Sequence, residues 1–326
     1  MRFLFAQRFA DAIDRRPRLR KIVWHAEAGL IRLLWWGLVA LGPERASRLG
    51  SRLLRRAGPR TPKKSALVHQ TLRLIRPEAA TAEIDMLADR SWASLGAVFG
   101  EYAHLATIGG GDRLQFVDRA GLEAYRPNGG RSAVFYGAHH GNWELLALAL
   151  ARAGVPMIAL YAPLQNPHLD RLLSAARVQL GCGTHARGES IRPLLRHLRA
   201  GGSIGTLIDL RVADGVALPF LGHPTRLPAT PARLALGTDC DLVPMRCERI
   251  GTARYRVIAE PALDIDALRD APDAVAAVTR RMLEPVERWI RDDPAHWLLA
   301  NRRWDKAVLE PNRYNTDSSA ELRERS

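Results

Sequence analysis

The sequence predicts a mixed α/β fold: a largely parallel sheet flanked by helices and preceded by a helical N-terminal region. Three observations carry that prediction. From residue 132 onward, short apolar runs alternate with segments of helical periodicity. Residues 1–110 keep mostly helical spacing and close on Gly109-Gly110-Gly111. A composition of 47% hydrophobic and 25% charged residues over 326 positions suits a folded chain with a sizeable core, not a disordered one.

In order along the chain, residues 1–21 form a basic segment with Arg2, Arg8, Arg15, Arg16, Arg18, Arg20 and Lys21. Residues 22–42, IVWHAEAGLIRLLWWGLVALG, approach the length of a bilayer-crossing helix but are interrupted by His25, Glu27 and Arg32. A helix lying in an anionic membrane surface, with Trp24, Trp35 and Trp36 at headgroup level, accommodates all of them. Residues 43–311 are expected to form the α/β domain. Its strands are read at 132–138, 156–162, 203–210, 241–250 and 253–260, and its helices at 143–154, 169–181, 191–202 and 232–239, with a long one before Pro294. Residues 312–326 are polar and expected to be disordered.

Charge and cysteine content narrow the function. Lys plus Arg exceed Asp plus Glu by 48 to 34, a net charge of +14 that favours polyanionic partners. Nucleic acid is one such partner, but no zinc-finger, RNP, KH or basic-zipper pattern is present. The three cysteines form no C-x-x-C pair, which argues against a disulfide scaffold or a zinc ribbon.

The sharpest local feature is GAHHGNWELL, residues 137–146, in which a buried strand runs into a new helix. Strand ends of this kind are where open α/β sheets bind ligands. His139 and Glu144 stand in an H-x4-E spacing, and Asn142 is a candidate helix cap. A histidine oriented by a carboxylate is what general-base activation of a hydroxyl requires. No G-x-S-x-G elbow and no H-E-x-x-H metal pair occurs, so neither a serine acyl-enzyme nor a metal is expected.

GAHHGNWELL resembles the signature of the bacterial lipid A biosynthesis acyltransferases, the late lauroyl/myristoyl branch of the H-x4-D/E acyltransferases. Four further blocks, at 161–181, 205–236, 243–257 and 294–304, resemble the family's segments in the same order, the last being PAHWLLANRRW. Two positions depart from the pattern: Leu210 follows Asp209 where Gln is usual, and Thr71 stands where Asn is usual. The resemblance implies a glycerolipid-acyltransferase-like fold. It also implies His139 as the base, Glu144 as its motif carboxylate, Arg177 near the active site, and Asp209 as a second carboxylate directed at His139. It further implies acyl carrier protein as donor, with acyl-acyl carrier protein as co-substrate and no cofactor. The acceptor would be a hydroxyl of a lipid A precursor, and the site the cytoplasmic face of the inner membrane. A lysophospholipid or other glycolipid acceptor stays open, as does a non-enzymatic basic membrane- or nucleic-acid-binding role. Arg246, Glu248 and Arg249 could line the cleft, and Arg192, Arg196 and Arg199 share one helix face that suits an acidic partner.

Overall fold

The computed structural model describes residues 15–179 and 181–309, with the side chains of residues 173 and 175–179 outside that description. The basic residues before position 15 and the tail 312–326 therefore lie outside it.

Proline at the first helical position opens three helices in succession: α1 (Pro17–Leu41), α2 (Pro43–Ala57) and α3 (Pro62–Ile75). The break between α1 and α2 is Gly42, whose φ of +71° a side chain would strain. Then come α4 (Thr81–Glu101) and the short α5 (Leu105–Gly110). Small residues let α2 and α4 touch backbone to backbone. A Cβ built on Gly96 would lie 2.2 Å from the Gly50 carbonyl oxygen, and one on Gly100 would lie 2.2 Å from that of Ala46. By contrast, α1 buries only Glu27 and Ala28 and leaves Ile22, Leu33, Leu34 and Trp36 exposed. Among the described residues, no helix is long and apolar enough to cross a membrane.

The α/β part runs β1 (Leu114–Asp118), β2 (Ala133–Gly137), α6 (Glu144–Arg152), β3 (Met157–Tyr161), α7 (Pro167–Gln179), β4 (Cys182–Ala186), α8 (Arg192–Arg199) and β5 (Ser203–Leu207). It continues with β6 (Val216–Phe220), β7 (His223–Leu227), α9 (Thr230–Thr238), β8 (Asp241–Gly251), β9 (Arg254–Ala259), α10 (Ala274–Asp292) and α11 (Lys306–Leu309). Seven strands make one sheet in the order β1-β9-β8-β2-β5-β3-β4. Every neighbouring pair is parallel except β8 with β9. All five residues of β2 are buried, as expected of a strand covered on both faces. Its side chains alternate between the two halves of the core: Val134 and Tyr136 pack with α3, α4 and α10, and Ala133 and Phe135 with α6 and β9.

The strands β1 and β4 and the β6–β7 hairpin have no counterpart in the sequence reading. Strand β4, CGTHA, carries little apolar signal, and β6 and β7 each contain a proline that argues against a central strand. The hairpin tolerates them because it stands outside the main sheet, with Pro219 opposite Pro224.

The contact of α2 with α4 sets a test. Alanine is the better helix former, by about 1 kcal/mol over glycine. Gly96→Ala should nevertheless destabilise the protein by about 1–3 kcal/mol through overpacking. Gly37→Ala, on open space in α1, should leave stability unchanged or raised. Denaturant unfolding midpoints of the two variants check this, and equal shifts would contradict the close approach.

Candidate active site

Sheet register builds the site. Strands β2 and β5 are parallel neighbours with Gly137 opposite Leu207, and the Ile208 N–H donates to the Gly137 carbonyl at 3.0 Å. His139 and Asp209, each following its strand by the same distance, therefore emerge side by side at the strands' carboxyl ends. The turn after β2 needs glycine: Gly141 has φ +61°, and a Cβ there would lie 2.2 Å from the Cys247 carbonyl oxygen.

Asp209 is 0% exposed and fully engaged. His139 Nδ1–H donates to its Oδ1 at 2.7 Å, and the His139 backbone N–H donates to the same oxygen at 3.1 Å. Its Oδ2 accepts from Trp297 Nε1 at 2.8 Å and from Arg303 Nη2 at 2.8 Å. Burial pushes the Asp209 carboxyl upward and is the largest single influence. The charges of His139 and Arg303, with the hydrogen bonds from both, outweigh it and hold the group well below the usual carboxylate range. An ionised Asp209 can only accept, so in the neutral form of the ring the hydrogen sits on Nδ1 and the lone pair on Nε2.

His139 lines a cavity of about 820 Å³. Leu146, Leu150, Met157 and Leu207 give that cavity apolar walls, and Trp143 and Glu144 share it with the histidine. The Trp143 and His139 ring centres are 5.1 Å apart. Glu144 opens α6, is buried, and accepts from the Tyr102 hydroxyl at 3.1 Å.

The sequence-derived residues thus fare differently. His139 and Asp209 meet directly, the carboxylate on Nδ1 being Asp209, while Glu144 lines the same cavity as His139. Arg177 falls in α7, but its side chain lies outside the described residues. Asn142 does not cap α6: its side chain donates instead to the buried Glu101 at 3.2 Å. Arg249 also serves Glu101, at 2.7 Å, while Arg246 pairs with Glu248 at 2.7 Å, and none of these three lines the cavity. Arg192, Arg196 and Arg199 are exposed on α8, with no ion pair among the described residues. Among the described residues, no cluster of His, Cys, Asp and Glu is arranged to hold a metal.

Sequence reasoning passed over Glu101, Trp297 and Arg303. Glu101 ends α4 and is 0% exposed. It accepts from Ser47 of α2, Asn142 beside the site, Arg249 of β8 and Tyr255 of β9. The only sequence signal for Arg303 was the Arg-Arg-Trp run at 302–304, which says nothing of burial.

The chain is similar to several known acyltransferases. The chain is 28% identical to the lipid A biosynthesis myristoyltransferase of Escherichia coli over 309 residues, 89% of this chain and 88% of that one. It is 27% identical to the phosphatidylinositol mannoside acyltransferase of Mycobacterium tuberculosis over 211 residues, 63% of this chain and 62% of that one. With a lipid A biosynthesis acyltransferase of Haemophilus influenzae it shares 26% over 194 residues, 57% of this chain and 58% of that one. The matched region thus spans less than two thirds of the mycobacterial and Haemophilus relatives. Residues 16–306 match the family described as bacterial lipid A biosynthesis acyltransferase, and the chain belongs to that family.

Proposed function

We propose that this protein transfers a fatty acyl chain from acyl carrier protein to a hydroxyl of a lipid A precursor, with His139 as general base. The observation that carries the reading is His139, in the wall of a large cavity with apolar sides, paired with the buried Asp209 behind it. His139 Nε2 takes the hydroxyl proton as the oxygen attacks the thioester carbonyl. The tetrahedral intermediate then collapses, the C–S bond breaks, and the imidazolium returns the proton to the leaving sulfur. The developing oxyanion needs a cation or N–H donors, and Arg177 is the choice drawn from the sequence. No covalent acyl-enzyme is required. Cys247, beneath the turn, is an unsuitable nucleophile, since burial pushes its thiol up to about 12.

The acyl chain occupies the apolar cavity. The exposed apolar residues of α1, beside the basic Arg18, Arg20 and Lys21, suit an anionic membrane surface, which supports a location at the cytoplasmic face of the inner membrane. The mycobacterial relative's name favours one other acceptor class, a mannosylated phosphatidylinositol lipid.

Membranes carrying the protein, given labelled acyl-acyl carrier protein and an under-acylated lipid A precursor, should yield labelled, more hydrophobic lipid A. His139→Ala should lower that rate by about 10²–10⁴-fold with the fold intact. Labelling of a mannosylated lipid in place of lipid A would shift the acceptor, and no labelling of any lipid would contradict the reading.

Chain length supplies a second test. Met157 covers Gly205 in the cavity wall. Met157→Trp should move the preferred donor to a shorter acyl chain, read by competing donors of different length. An unchanged preference would place the chain elsewhere.

A further inference from the structure

The Arg-Arg-Trp run at 302–304 has no part in the reaction as proposed, yet its middle residue is the most fully enclosed cation near the site. Arg303 is 0% exposed. Its Nε donates to the Asp209 carbonyl at 3.0 Å and its Nη2 to Asp209 Oδ2 at 2.8 Å. Nη1 donates to the carbonyls of Leu298 and of Asn301, the latter at 2.9 Å. The guanidinium carbon lies 4.0 Å from the centre of the Trp297 ring, and that indole donates to the same carboxylate oxygen. We propose that Arg303 is a positioning residue that acts through Asp209, its fork holding Oδ2 so that Oδ1 meets His139, and its charge setting the pH at which His139 becomes a free base. This rests on reading His139 as the general base.

The electrostatics give the sign. His139 and Asp209 hold one exchangeable proton as a pair. The Arg303 cation on the far oxygen makes the added proton less welcome, whichever atom carries it. Without that cation, a proton would relieve an otherwise poorly compensated buried anion, so the pair would release it only at higher pH. Burial opposes the charge on Arg303 itself, and Asp209 sustains it. Among the described residues, Tyr161, His185, Arg187, Glu189, Asp214 and Arg233 also line the cavity that His139 lines. Glu144 shares the cavity wall with His139. Lys64 bonds the Ala300 carbonyl and repels Arg303. The cluster of His140, Asp293 and His296 lies under the same loop.

The test reads His139 directly in the full-length protein. Among the 10 histidines, its ¹⁵N signals are those missing from His139→Ala, and their titration midpoint needs no acyl transfer. Arg303→Met should raise the midpoint by about one to three pH units, and the acid limb of the pH–rate profile should move with it. Arg303→Lys keeps the charge and should keep the midpoint, with a lower kcat. Trp297→Phe removes one hydrogen bond to Oδ2 and should raise the midpoint by less, which carries the test should Arg303→Met not fold. An unmoved midpoint in folded Arg303→Met, or in Trp297→Phe should Arg303→Met not fold, would leave Arg303 a merely structural residue and overturn the proposal. Shifted midpoints in a protein whose wild type acylates no lipid would support the coupling and contradict the transferase reading instead.

Discussion

One buried carboxylate organises the site. Asp209 stands at the end of a central strand, and an ion in that position is tolerated only if surrounding donors replace water. Four groups from two segments distant in sequence do so: the His139 ring and backbone, and Trp297 with Arg303. Their convergence explains why the chain returns to the site after α10. The returning segment locks onto the turn after β2: the Leu298 N–H donates to the His139 carbonyl at 2.9 Å, and the Gly141 N–H to that of His296 at 3.0 Å. Loss of either opposite charge would leave its partner buried and uncompensated.

A second buried anion secures the other side of the same turn. Glu101 joins the N-terminal helices to β8, β9 and Asn142, so the helical region is tied to the end of the sheet that carries His139. Its reach depends on how closely α2 and α4 pack. Ser47 approaches Glu101 because glycines at 50, 96 and 100 admit the neighbouring backbone. The His139 turn is thus held between two carboxylates with different tasks. One faces the imidazole, and the other fixes the backbone that carries it. Preorganisation of this kind fixes the imidazole in place before any ligand arrives.

Much of this was legible in the sequence, for identifiable reasons. A strand buried on both faces reads as an apolar run, so 132–138 and 203–210 stood out, and proline and glycine marked helix ends. His139 was visible because it follows such a strand. Its partner was ambiguous, since the H-x4-E spacing pointed to Glu144 whereas Asp209 lies 70 positions away and meets His139 only through the pairing of β2 with β5. Register between distant strands leaves no local trace. Nor does burial of a charge: Glu101 and Arg303 look like surface residues in the sequence, and their enclosure comes from tertiary packing. Asn142 looked like a helix cap because its type fits that role, but a buried carboxylate took its side chain first.

Asp209, hydrogen-bonded to His139 Nδ1, is the carboxylate proposed to make His139 a base for acyl transfer. The most direct test of this role is the single-turnover rate of lipid acylation by Asp209→Asn, per folded molecule, beside Glu144→Gln. A loss of about 10²–10⁴-fold is expected for Asp209→Asn, with a clearly smaller loss for Glu144→Gln. A near-normal rate for Asp209→Asn, with Glu144→Gln inactive, would contradict it.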